Sequence, residues 1–65
     1  MDSKEINDLN LKRSQVLIVE LVTGEISKFI FYSIYGDGIT GYGMHEEGNE
    51  LQYIPSSDIQ EIKID

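Results

Sequence analysis

A chain of 65 residues with 40% hydrophobic content, 26% charged content and no cysteine supports one core and no more, because a chain of this size buries only about 60% of the surface it exposes when unfolded. That length excludes a multi-step enzyme with a deep cleft, and the missing cysteine excludes a disulfide framework and a thiolate zinc site. The net charge of −7, with only Lys12 and Arg13 adjacent among the cations, argues against direct nucleic-acid binding, since counterion release needs clustered Lys and Arg.

Thirteen residues are Ile or Val, two are Thr, and alanine is absent. This bias favours strands. The exception opens the chain: Asp2-Ser3-Lys4-Glu5 offers a cap with a carboxylate three residues later, and Ile6 and Leu9 follow on one helical face. A short helix is expected over residues 3 to 11, within an N-terminal helix or tail of residues 1–13. Residues 14–65 then form a small β-barrel domain in which apolar segments alternate with turn signals every eight to twelve residues.

Five strands fit this spacing. The first runs from about Val16 to Thr23 and the second from about Glu25 to Tyr35, joined at Thr23-Gly24, where glycine supplies a positive φ. Gly36-Asp37-Gly38 closes the next hairpin, leading into a third strand from about Ile39 to His45. After the polar loop Glu46-Glu47-Gly48-Asn49, a fourth strand covers Glu50 to Ile54 and stops at Pro55, which cannot donate to a ladder. Ser56-Ser57-Asp58 makes a one-turn connector. The fifth strand, Ile59 to Ile64, buries the face of Ile62 and Ile64. The second strand is long, and its run Phe29-Ile30-Phe31-Tyr32 is apolar on both faces. Such a strand either bends to serve both halves of a barrel or presents an interface. Gly41 and Gly43 beside Tyr42 leave room for aromatic neighbours or permit a bulge.

A helix followed by five strands, with Val19-Glu20-Leu21-Val22-Thr23-Gly24-Glu25, Asp37-Gly38-Ile39 and the connector Ile54-Pro55-Ser56-Ser57-Asp58-Ile59-Gln60-Glu61-Ile62, resembles the Sm-like and SH3-like small barrels over most of the chain. The resemblance implies a mainly β fold: a short N-terminal helix and a five-stranded antiparallel small barrel. Similar turns and connectors, with Gly48-Asn49 and Gln52, occur in short bacterial lipoprotein domains and domains of unknown function. Ile59-Gln60-Glu61 stands where Sm proteins carry a basic-glycine signature, so no RNA-contact residue carries over. The peptide platform of SH3 domains normally includes a tryptophan, and this chain has none. Leu21-Val22-Thr23-Gly24-Glu25 and the negative charge are similar to acidic Sm-like inhibitors of the termination factor Rho, which implies a barrel able to occupy a basic groove.

Candidate chemistry is sparse. His45-Glu46-Glu47 is the one cluster that mixes imidazole and carboxylates. Contiguous strand residues point to opposite faces and no second histidine completes a tetrahedral site, so a solvated loop is expected and no metal. The carboxylates lie in polar turns, without the burial that tunes a catalytic pair. No glycine-rich loop opens a helix, so no phosphate cradle or cofactor is expected. Tyr32, Tyr35, Tyr42 and Tyr53 either fill core or rim volume, which the absence of tryptophan favours, or line a binding face. The candidate protein-contact set is Phe29, Phe31, Tyr32, Tyr42 and Tyr53.

No basic stretch followed by an apolar core opens the chain, and the longest apolar run, Val16 to Val19, is too short for a bilayer. A cytoplasmic protein is expected. Its expected function is that of a non-enzymatic acidic binding or accessory module acting through protein-protein contact, possessing no membrane or nucleic-acid partner and able to form a homo-oligomer. The alternative is an acidic inhibitor that mimics nucleic acid in a basic groove of a protein partner.

Overall fold

The computed structural model describes residues 1–44 and 50–65, in the order α1 (Ser3–Asp8), β1 (Val16–Leu21), β2 (Ile26–Tyr35), β3 (Gly38–Gly43), β4 (Gln52–Pro55), a 3-10 turn (Ser56–Asp58) and β5 (Ile59–Ile64). The fold is mainly β: a short N-terminal helix and five antiparallel strands in one sheet, ordered β4-β3-β2-β1-β5. The sheet does not close into a barrel, so β4 and β5 are its two edges. The expected third-strand terminus at His45 and the loop Glu46-Glu47-Gly48-Asn49 lie outside the described residues.

Local signals place most boundaries. Asp2 caps α1: its side chain accepts from the Glu5 amide at 2.8 Å while the Glu5 carboxylate accepts from the Asp2 amide at 3.3 Å. The helix ends at Asp8 rather than at residue 11, because Leu9 is its C-cap and Asn10 turns the chain into the left-handed region at φ 54°. Gly24 sits at φ +94° in the β1–β2 turn and Gly36 at φ +58° in the next, where a side chain would be strained. Pro55 belongs to β4 rather than ending it, opposite Gly38. That position suits a proline because β4 is an edge strand.

The ten-residue β2 serves both halves of the sheet. Its residues 26–30 pair with β1 and its residues 29–35 with β3, and a register shift between Phe31 and Ser33 marks the bend. On the concave side, Leu17 and Val19 of β1, Phe29 and Phe31 of β2, Ile39 of β3, and Ile59 and Ile62 of β5 form the core, closed from above by Ile6 of α1. A six-residue helix is unstable alone. Burial of Ile6, which is 1% exposed, holds it. Burying one such side chain contributes about 1.5–3 kcal/mol. No helix among the described residues is long and apolar enough to cross a membrane.

Candidate functional site

Alternate residues of a strand share a face, so pairing partners extend each face across the sheet. On the side away from the core, Thr40 of β3 pairs with Ser33 of β2 and Tyr53 of β4, Tyr42 pairs with Ile30, and Gly38 pairs with Tyr35. Tyr35, Tyr42 and Tyr53 therefore project from one face. Tyr32 sits in the irregular step of β2 and joins them, since its ring meets that of Tyr42 edge to face at 6.3 Å and 80°. Tyr35 and Tyr53 form a second edge-to-face pair at 6.0 Å and 84°. Each such pair is worth about 0.5–1.5 kcal/mol beyond the area it buries.

Polar contacts fix both pairs. The Arg13 guanidinium lies 4.4 Å above the Tyr32 ring centroid, and its Nε donates to the Tyr32 carbonyl at 3.3 Å. A cation over a ring face is worth about 0.5–1 kcal/mol at an exposed site. The Tyr53 hydroxyl donates to Asp37 Oδ1 at 2.5 Å. This bond, with some desolvation, holds the Tyr53 phenol above its ordinary value of 10.0, because loss of the proton would set two negative oxygens side by side. Between the pairs, the Thr40 hydroxyl donates to the Ser33 carbonyl at 3.1 Å and takes part in a 2.8 Å bond with the Ser33 hydroxyl, which must then be the donor. The face thus consists of two aromatic pairs flanking a satisfied polar centre.

The contact residues expected from sequence divide. Tyr32, Tyr42 and Tyr53 come together on this face, with Tyr32 and Tyr53 exposed by 38% and 47%. Phe29 and Phe31 do not: they are 1% and 4% exposed and belong to the core, which corrects their assignment as contact residues. They lie on the concave side because Phe29 pairs with Leu17 and Gly43, and Phe31 with Gly41. Tyr32, Tyr35 and Tyr53 are exposed and Tyr42 is half-buried, so the tyrosines lie at the rim and surface and not in the core. Tyr35 and Arg13 are members that the expected contact set lacks. Arg13 reaches Tyr32 across nineteen residues of sequence, and no local pattern announces that contact.

The glycine pattern of β3 has its own explanation. A Cβ on Gly41 would strike the Ile30 carbonyl oxygen and the Phe29 ring, so this glycine makes the room for an aromatic neighbour that its position next to Tyr42 suggested. Among the described residues no three His, Cys, Asp or Glu side chains group as metal ligands would. His45-Glu46-Glu47 lies outside the described residues. No protein-family model, curated protein or solved structure matches the chain.

Proposed function

We propose that the chain is a non-enzymatic binding module of the open Sm-like or SH3-like small-barrel kind, acting through protein-protein contact on its tyrosine face. The strand order β4-β3-β2-β1-β5 behind an N-terminal helix supports the barrel part of this reading. One observation carries the contact part: four tyrosines from three strands share one solvent-facing side, each held by a ring or hydrogen-bond partner. Tyrosine offers large contact area, a polar tip and few torsions to freeze, so a prearranged group of them binds protein at low entropic cost. Contact residues would be Tyr32, Tyr42 and Tyr53, joined by Tyr35 and Arg13.

The test is affinity capture from the host, comparing wild type with Tyr32→Ala/Tyr42→Ala. Proteins captured by wild type and lost with the variant, whose circular dichroism stays unchanged, are the expected result. An identical captured set would sink the proposal. Salt separates it from the acidic-mimic alternative, which rests on the net charge of −7: a mimic loses its basic partner steeply as ionic strength rises, whereas an aromatic contact does not. Short single-stranded RNA or DNA should give no anisotropy change at physiological salt. Among the described residues the outer edges of β4 and β5 pair with no further strand, which also favours self-association, since exposed edges pair with other copies. Sedimentation at tens of micromolar should then detect a species heavier than the monomer.

A further inference from the structure

The sheet that fails to close leaves a gap on its concave side. Between the β1–β2 turn and β4 lies an open cleft of about 410 Å³, within the range of about 300–1,000 Å³ that pockets for specific ligands occupy. Its lining mixes apolar Leu21, Phe29, Ile54 and Pro55 with polar Thr23, Ser27 and Gln52, and Val22, 56% exposed, lines it too. Backbone bonds fix the turn that walls it: the Val22 amide donates to the Asp58 carbonyl at 2.9 Å, the Leu21 amide to the Glu25 carbonyl at 2.8 Å, and the Gly24 amide to the Leu21 carbonyl at 2.9 Å. The hairpin turn is thereby tied to the 3-10 turn, and the cleft is preformed.

Its charge is one-sided. Glu25 and Asp58 line it and no Lys or Arg does. Both residues are exposed, and among the described residues neither carboxylate has an ion pair or hydrogen-bond partner; the ion pair seen, Lys28 with Asp65 at 3.5 Å, involves neither. A partly apolar recess with two unpartnered carboxylates repels acidic ligands and gains from an occupant that covers Leu21, Val22, Ile54 and Pro55 while placing cations beside the acids.

We propose that this cleft docks an extended protein segment that presents an apolar side chain flanked by lysine or arginine. The inference goes beyond the tyrosine-face reading and does not depend on it, because Leu21, Phe29 and Ile54 lie on the concave side while the tyrosine pairs lie on the other. Tyr53 alone borders both.

The experiment is a titration of the ¹⁵N-labelled full chain with the capped pentapeptide Lys-Lys-Leu-Lys-Lys, followed amide by amide. Saturable shifts at Val22, Thr23, Glu25, Ile54 and Asp58 are expected by millimolar peptide. Glu25→Gln/Asp58→Asn, two exposed changes that leave the core intact, should weaken binding by at least about fivefold. Tyr32→Ala should leave it unchanged, so loss of the tyrosine-face function and loss of this site are read separately. Replacing the peptide leucine by glycine should also weaken binding, and Glu-Glu-Leu-Glu-Glu should give no shifts. The proposal is overturned if the cleft amides do not move, if the glycine peptide binds equally well, or if the carboxamide variant binds as tightly as wild type.

Discussion

The two sides of β2 start from nearly the same chemistry and end in different roles. Phe29 and Phe31 face the core at 1% and 4% exposure, while Tyr32, their immediate neighbour, stands on the opposite side at 38% beside Tyr42 and Arg13. In the sequence the run Phe29-Ile30-Phe31-Tyr32 is uniformly apolar or aromatic. Which side is spent on stability and which is left for contact follows from the parity of the strand and from what the neighbouring strands put opposite each residue. Stability should therefore reside in the core around Phe29 and Phe31, and tyrosine-mediated contact on the opposite face.

The largest effects should come from breaking the concave side. Phe29→Ala should cost about 3–5 kcal/mol, enough to unfold much of a domain this small, and Ile62→Asp should do at least as much, because Ile62 is 7% exposed and a buried charge there has no partner. Lys63→Asp, on the exposed alternate position of the same strand, should change little. Urea unfolding followed by circular dichroism ranks the three; equal tolerance of Ile62→Asp and Lys63→Asp would refute the assigned register of β5.

Glycine substitutions sharpen the comparison at the next level. Gly41→Ala would force a methyl against the Ile30 carbonyl, which cannot move without parting β3 from β2, and against the Phe29 ring, which is packed in the core. A loss of about 1–3 kcal/mol is expected. Gly24→Ala meets nothing within 4 Å and pays only for its φ of +94°, so about 1 kcal/mol is expected. If thermal unfolding placed Gly24→Ala below Gly41→Ala, close approach would not be what Gly41 supplies.

On the convex side the effects on folding shrink. Thr40→Val removes the hydroxyl bonded to Ser33 and should cost about 1 kcal/mol, whereas Tyr32→Ala should cost less than Phe29→Ala by several-fold and be felt in partner capture instead. The smallest effect is one of pH. The Tyr53 phenol is raised above 10.0 chiefly by its bond to Asp37, so the folded state holds that proton more tightly than the unfolded chain does. Its contribution to stability is then complete below pH 10 and is lost as pH rises through the folded value. Spectrophotometric titration at 295 nm should show the ionisation of Tyr53 moving to lower pH in Asp37→Asn than in wild type.

Much of the architecture is legible in the sequence because its signals act over a few residues. The capping box of Asp2 and Glu5 and the positive-φ glycines at Gly24 and Gly36 each depend on a neighbour within one turn, and such signals place all five strands and the helix nearly where the structure has them. In β5, however, Ile62 is buried while Ile64, expected on the same buried face, is 55% exposed because it lies at the end of an edge strand. The long β2 likewise announced a strand shared by two halves of the sheet. The site was only half legible. Tyrosine content marked Tyr32, Tyr42 and Tyr53 as candidates, but their separation from Phe29 and Phe31 depended on register, and the irregular step at Tyr32 has no letter that encodes it.

What the tertiary structure alone decided are the long-range meetings. Arg13 reaches Tyr32, Asp37 reaches Tyr53, and the Val22 amide ties to the Asp58 carbonyl, so Glu25 and Asp58 come to border one partly apolar cleft. Sequence patterns fix which way the backbone runs and which residues alternate, since those follow from local sterics and period. Which distant side chains then share a face or a gap depends on strand order, register and the failure of β4 and β5 to pair, and these are set by the packing of the whole core around Phe29 and Ile39.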